Sequence, residues 1–200
     1  IKGISFEVNE GEVIALIGAN GAGKTTFIRC IADLIPHQGS IVLEEDGKKL
    51  DRSSIAYLPQ LEKITSSLTT FETILLGLTK KLSWKVSEAQ LAKVSQVIRE
   101  LKLDTFANTS VRSLSGGQKQ LVFLAQSFVS EPKLLLLDEP TSALDVRHQL
   151  VVMKTVHRYC KKRNAIALYV IHDLMLASRF SDAVLFLHNG VACLLYTSDA

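Results

Sequence analysis

The stretch GANGAGKT, Gly18 to Thr25, decides how the rest of this chain is read. It fits G-x-x-x-x-G-K-[ST], and its setting matters as much as its letters. The apolar run VIALI precedes it, and KTTFIRCIADLI follows with helical spacing. A glycine turn between a strand and a helix lets the backbone wrap around phosphate oxygens, with successive N–H groups aimed at them. In such a loop Lys24 reaches the β- and γ-phosphates, and the Thr25 hydroxyl can ligate Mg²⁺. The bland alternative, a structural glycine turn, explains neither the lysine nor the threonine.

Outward from this loop, short β-rich runs alternate with helical stretches, which predicts an α/β domain with a mainly parallel sheet. The expected strands are ISFEV, EVIALIG, SIVLE, SIAYLP, KLLLLD, AIALYVI and AVLFL. LLLLD and IALYVI are apolar throughout, as strands covered on both faces are. From Thr69 to Thr105 the chain turns helix-rich. Thr69 with Glu72, and Ser87 with Gln90, have capping-box spacing and mark two helix starts. In the second helix Leu91, Val94, Ile98 and Leu101 fall on one face. Trp84, the single tryptophan, lies between the two helices and reads as core packing rather than a ligand contact.

A chain of 200 residues, 47% of them apolar, fits one globular domain that needs no disulfide or metal staple. The net charge of +3 is small, and the longest basic run, Lys161 to Arg163, reads as a solvated helix end rather than a nucleic-acid arm. Cys30, Cys160 and Cys193 form no CxxC pair, which points to a reducing compartment and away from a metal knuckle. The apolar runs, such as AIALYVI, fall far short of the roughly 20 residues of a bilayer span, so the expectation is a soluble, cytosolic chain. Ile1 leads straight into ISFEV, so both ends read as cut. CLLYTSDA, Cys193 to Ala200, follows the turn signal HNG and resembles the translated read-through of a sequencing adapter. It is set aside from fold reasoning as an artefact; a genuine tail is the alternative, which the nucleotides beyond Ala192 distinguish.

Further groups carry chemistry. LLLLDEP delivers Asp138 at the end of a buried strand, where a carboxylate can hold Mg²⁺, with Glu139 beside it facing another way. A glutamate placed against water can orient it or take its proton. Gln60, after IAYLP, and His172, after AIALYVI, would each be unremarkable alone. LSGGQ, Leu114 to Gln118, is a second glycine loop that opens a helix, a place where anions bind.

Taken in order, GANGAGKTT, Gln60, LSGGQ, LLLLDEP, SALD and His172 resemble the nucleotide-binding domains of ABC-type ATPases, over Ile1 to Ala192. The resemblance implies a P-loop NTPase core, with an ABC-type helical subdomain at about 69–115 between the Walker A loop and the LSGGQ signature. It implies ATP and Mg²⁺, and a head-to-tail pair of chains with two ATP molecules at the interface. Gly18, Asn20, Gly21, Gly23, Lys24, Thr25 and Thr26 would cradle one chain's ATP. Ser115, Gly116, Gly117 and Gln118 would contact the γ-phosphate held by the other chain. Asp138, Thr25 and Gln60 would serve Mg²⁺, and Gln60 would also sense a transmembrane partner. Glu139 would be the catalytic base, His172 would hold γ-phosphate and water, Lys24 would assist catalysis, and Asp145 would couple the two sites.

Two departures stand out. The aromatic residue that this family stacks on adenine has no counterpart upstream of ISFEV, and Phe6 lies too close to the phosphate loop for that task. Weaker ATP binding than in a chain carrying that aromatic, and an exposed sheet edge, are therefore expected. Leu121 and Gln126 stand where many members carry arginine.

Within the family, the interval between phosphate loop and signature shows no long coiled coil of the chromosome-structure type. LTTFETILLGL and TSALDVRHQLVVMKTV are similar to the ATPases of importers for iron–siderophore, haem and cobalamin-type chelates. The expectation is an ATP-hydrolysing homodimer at the cytoplasmic face of a plasma membrane. Its partners would be permease subunits and, indirectly, a substrate-binding protein, with no nucleic acid. The alternatives are a non-transport ABC-type ATPase of DNA repair or translation control and, less favoured because Glu139 is present, a non-enzymatic clamp.

Overall fold

The computed structural model describes residues 3–60, 66–81, 86–142, 144–188 and 190–196. Its main sheet comprises β1 (Val13–Gly18), β4 (Ile55–Leu58), β5 (Leu134–Leu137), β6 (Ile166–Val170), β7 (Ala183–His188) and β8 (Val191–Tyr196). The strand order is β4-β5-β6-β1-β7-β8, parallel throughout except for the antiparallel β7–β8 pair. A two-stranded ribbon, β2 (Glu44–Glu45) with β3 (Lys48–Lys49), stands apart. The helices are α1 (Lys24–Ile31), α2 (Thr70–Leu75), α3 (Glu88–Glu100), α4 (Gly116–Phe128), α5 (Val146–Arg163) and α6 (Leu174–Phe180).

Strand alternation sorts the continuous apolar runs onto two faces. Val13, Ala15, Leu135, Leu137, Ala167 and Tyr169 pack with Leu124 of α4, Met153 and Val156 of α5 and Phe180 of α6. Ile14, Leu16, Leu134, Leu136, Leu168 and Val170 lie in the cluster that holds Ile28 of α1. A third cluster is helical, with Ile74, Leu78, Val94, Ile98 and Val111 gathered around Val122, Ala125 and Val129. α4 therefore belongs to two cores, one on each side. A Cβ on Gly77 would come within 2.0 Å of the Gln126 carbonyl oxygen, so only glycine lets the 3-10 turn after α2 (Leu76–Lys81) cross α4.

Several expectations are corrected. ISFEV forms no ladder; Ile4, Phe6 and Val8 are half-buried against the α1-side core, and Phe6 packs on Phe27 with centroids 6.1 Å apart. Alternation selected a buried face, but among the described residues no strand pairs with it. SIVLE contributes only Glu44 to a strand, with Ile41 and Val42 exposed. Asp46 (φ 50°) and Gly47 (φ 71°) reverse the chain there in a two-residue turn, and Glu44 and Glu45 face Lys49 and Lys48. KTTFIRCIADLI stays helical only to Ile31, because Asp33 is left-handed (φ 56°) and Pro36 follows. Leu91 lies 39% exposed at the edge of the stripe that buries Val94 and Ile98.

Cys193 to Tyr196, set aside on sequence, form part of β8 against β7, so this part has a structural place. Thr197–Ala200 and Trp84 lie outside the described residues. Both capping boxes form as expected. Lys161–Arg163 close α5 and pair with Asp182, Glu100 and Glu131 respectively. All three cysteines are free, and burial pushes the Cys160 thiol up to about 12.

Candidate active site

The phosphate loop leaves the carboxyl end of β1 at Gly18. A Cβ there would sit 2.3 Å from the Leu187 carbonyl oxygen, so glycine is what lets β1 run this close to β7. Gly21 (φ 79°) and Gly23 (φ 96°) take left-handed conformations, and Gly23 caps α1. Lys24, the first helical residue, is buried at 6% exposure, and its ammonium donates to the carbonyls of Gly18 (2.8 Å) and Ala19 (3.0 Å). The start of α1 thus brings backbone N–H groups and a cation to the loop. Asn20 and Thr26 are exposed.

β5 ends beside this loop. The Asp138 N–H donates to the Leu58 carbonyl (2.9 Å), extending the ladder by one residue. Asp138 shares the strand parity of Leu134 and Leu136 and so faces α1, where Thr25 Oγ1 donates to its Oδ1 at 3.1 Å. Burial raises the Asp138 carboxyl above the usual range, Thr25 opposes that shift, and the Glu139 charge adds to it. A buried carboxylate facing a hydroxyl is an oxygen-only donor pair, which suits Mg²⁺, a cation that takes its other ligands from phosphate and water. Asp138 and Thr25 would hold the ion, which would supply positive charge to offset the negative charge that develops on the transferred phosphate.

Glu139 follows with a left-handed backbone (φ 51°), uncommon for a side-chain-bearing residue. Its carbonyl accepts the Ser142 N–H (3.1 Å) and hydroxyl (3.0 Å), which fix the turn. The carboxylate accepts Gln60 Nε2 at Oε2 (2.9 Å) and faces His172 Nε2 at Oε1 (2.9 Å). Gln60 lies just beyond β4 and His172 just beyond β6, so four neighbouring parallel strands deliver one site at their carboxyl ends, as ligand sites in open α/β sheets are built. Water lodged against Glu139 would be oriented by it and give up a proton to it.

The remaining expected residues gather elsewhere. Ser115 caps α4; Gln118 N–H donates to its Oγ (3.4 Å), and Gln118 Oε1 accepts the Ser115 N–H (2.9 Å). The Gln118 side chain therefore serves the cap. Asp145 caps α5 and accepts the His148 N–H (2.9 Å). Among the described residues no hydrogen bond joins this second group to the phosphate loop. Lys24, Thr25, Gln60, Asp138, Glu139 and His172 form one cluster; Ser115 to Gln118 and Asp145 form another.

Sequence reasoning missed three contributors. Tyr57 lies opposite Leu136 in the β4–β5 ladder and accepts Arg29 Nε at 3.4 Å; the Arg29 charge and the Tyr57 hydroxyl both favour ionised Asp138. His148, beside Asp145, carried no signal at all.

The family model described as ABC transporter matches residues 1–142. An uncharacterized ABC transporter ATP-binding protein of Methanocaldococcus jannaschii is 39% identical, covering 96% of this chain and 77% of its own length. The achromobactin transport ATP-binding protein of Dickeya dadantii is 33% identical (96% and 74%), and a phosphonates import ATP-binding protein of Treponema denticola 31% (95% and 80%). Among solved structures, a metal-chelate type ABC transporter in an inward-facing conformation superposes with a TM-score of 0.87 at 28% identity (97% and 75%). A dimeric ATP-binding cassette in a post-hydrolysis state, bound to ADP and Pi, gives 0.82 at 26% (100% and 91%).

Proposed function

The chain belongs to the ABC transporter family as an ATP-binding and ATP-hydrolysing subunit, and from that premise we propose that it powers import of a metal chelate of the iron–siderophore, haem or cobalamin class. The observation that carries the catalytic reading is Glu139, held between Gln60 and His172 at 2.9 Å each beside the Thr25–Asp138 pair. In this reading residues 1–192 act as one nucleotide-binding domain, with Cys193–Tyr196 continuing its last strand, and its helical subdomain lies at about 69–115. Gly18 to Thr26 bind the phosphates of ATP, Lys24 holds the β- and γ-phosphates, and Glu139 takes the proton of the attacking water. His172 steadies water and γ-phosphate, and Gln60 links the site to a transmembrane partner.

The second cluster, Ser115 to Gln118 with Asp145, serves the nucleotide of a second copy arranged head to tail. The dimeric neighbour bound to ADP and Pi supports a pair of chains. Two copies close on two ATP molecules, closure drives a permease between its two access states, and hydrolysis reopens the pair. In this reading the chain attaches at the cytoplasmic face through the permease; among the described residues no helix is long and apolar enough to cross a membrane. The cargo class rests on LTTFETILLGL and TSALDVRHQLVVMKTV, on the achromobactin relative and on the metal-chelate type neighbour.

Glu139→Gln tests the chemistry: ATP binding is retained while turnover falls by about 10²–10⁴-fold, the usual worth of a positioned base. Near-normal turnover removes Glu139 from the role. For the cargo, ATP-dependent uptake of a ferric chelate into vesicles carrying the chain with its permease is the expected result; uptake of a phosphonate instead overturns the class.

A further inference from the structure

Asp145 and the signature loop are far apart in sequence, yet one side chain, His148, touches both. Its N–H donates to Asp145 Oδ1 (2.9 Å), and its ring Nδ1 lies 2.9 and 2.8 Å from the two carboxylate oxygens. The opposite ring edge fills the space beside Gly117. A Cβ on that buried glycine would meet His148 Cδ2 at 2.2 Å, Cγ at 2.5 Å and Cβ at 3.0 Å. Leu144, from the same turn as Asp145, lies 3.6 Å from where a Gly116 Cβ would be. The start of α4 and the turn into α5 are thus mated through an imidazole and a leucine.

The contact is asymmetric in a useful way. The Asp145 side chain stays 66% exposed although His148 grips it, and Ser115 and Gly116 are exposed at the end of α4. What faces outward is therefore a carboxylate and a helix N-terminus whose relative placement is set from behind. His148 itself, 40% exposed, presents its ring to its own chain. A methyl group at Gly117 would displace the imidazole from the place it now holds.

We propose that His148 is a positioning residue that locks Ser115–Gln118 and Asp145 into one preformed face for the nucleotide held by a second copy of this chain. This rests on the head-to-tail reading given above. Without the ring, each loop keeps its own cap but not its placement relative to the other. Both must then be ordered when the pair closes, which weakens closure rather than nucleotide capture. The phosphate loop of the same chain makes no contact with His148 among the hydrogen bonds described, so its affinity for ATP is left alone.

The test uses the Glu139→Gln background, in which slowed hydrolysis lets a closed pair accumulate. Sedimentation across protein concentration reads ATP-dependent dimerisation, and titration with a fluorescent ATP analogue reads single-chain affinity. His148→Ala is expected to leave that affinity unchanged and to weaken dimerisation by about tenfold or more, the scale of a lost hydrogen bond to a charged group. His148→Asn, which keeps a donor toward Asp145, recovers part of the loss. Dimerisation of His148→Ala as tight as in the parent overturns the role, and so does an Asn variant no better than the Ala variant. A parent that stays monomeric with ATP overturns the head-to-tail reading and the proposal with it, an outcome recognisable without any change at residue 148.

Discussion

Gly18 shows how one atom decides the site. A Cβ at this position would lie 2.3 Å from a backbone oxygen of β7, and backbone cannot swing aside as a side-chain tip can. Gly18→Ala must push β1 off β7 where the phosphate loop begins. The expected cost is about 1–3 kcal/mol, as for other overpacked positions, which for a chain of this size lowers Tm by roughly 2–4 °C per kcal/mol. A melting curve superimposable on the parent's would refute the argument. At Gly21 the space is open but φ is 79°, so there the constraint is conformational rather than steric. The motif residues were legible because phosphate chemistry demands those types at that spacing. Tyr57 and His148 were not, since a strand tyrosine and a first-turn histidine acquire meaning only when another segment arrives beside them.

The helices began where their caps said, because a capping box is a local exchange between residues three apart that needs no tertiary information. Ser87→Ala removes the oxygen that accepts the Gln90 N–H and is expected to lower stability by about 1 kcal/mol, read from denaturant midpoints. Glu72 carries a pH dependence whose sign follows from the same geometry. Its carboxylate is held below its ordinary range, first by the Thr69 backbone N–H and then by the Thr69 hydroxyl. Its contribution is complete above the unfolded carboxyl range and is lost as pH falls through the lower folded value. The Tm gap between parent and Glu72→Gln should accordingly narrow on acidification, and a gap constant from neutral to acid pH would sink the assignment. Strands were legible where burial on both faces left only one way to read them, as in LLLL and IALYV. ISFEV and SIVLE failed because alternation names a face and not a partner, and the Asp46–Gly47 reversal passed unnoticed between two charged pairs.

Across the whole molecule, the joint between the sheet core and the helical region decides whether the two second-cluster loops move with the phosphate site. One ion pair joins α5 to α3 directly, Lys162 to Glu100 (3.1 Å), and two meet at Glu131 in the connection after α4, from Lys93 of α3 (2.8 Å) and from Arg163 of α5 (3.3 Å). Their side chains are 37–58% exposed, and such pairs contribute about 0–1 kcal/mol each. α4 is the stronger joint, because Leu124 is fully buried toward the sheet while Val122 is fully buried toward the helices. Leu124→Ala is expected to cost about 2–5 kcal/mol, and Val122→Ala less, fewer methyl groups being removed. If α4 fuses the two cores into one cooperative unit, both variants should speed hydrogen exchange in β5 and in α3 alike, whichever side carries the cavity. Faster exchange confined to α3 in Val122→Ala, with β5 protection unchanged, would mean that the helical region opens on its own. The signature loop at the start of α4 would then be free of the sheet, and the phosphate site could report its state to that loop only through the turn that carries Asp145 and His148.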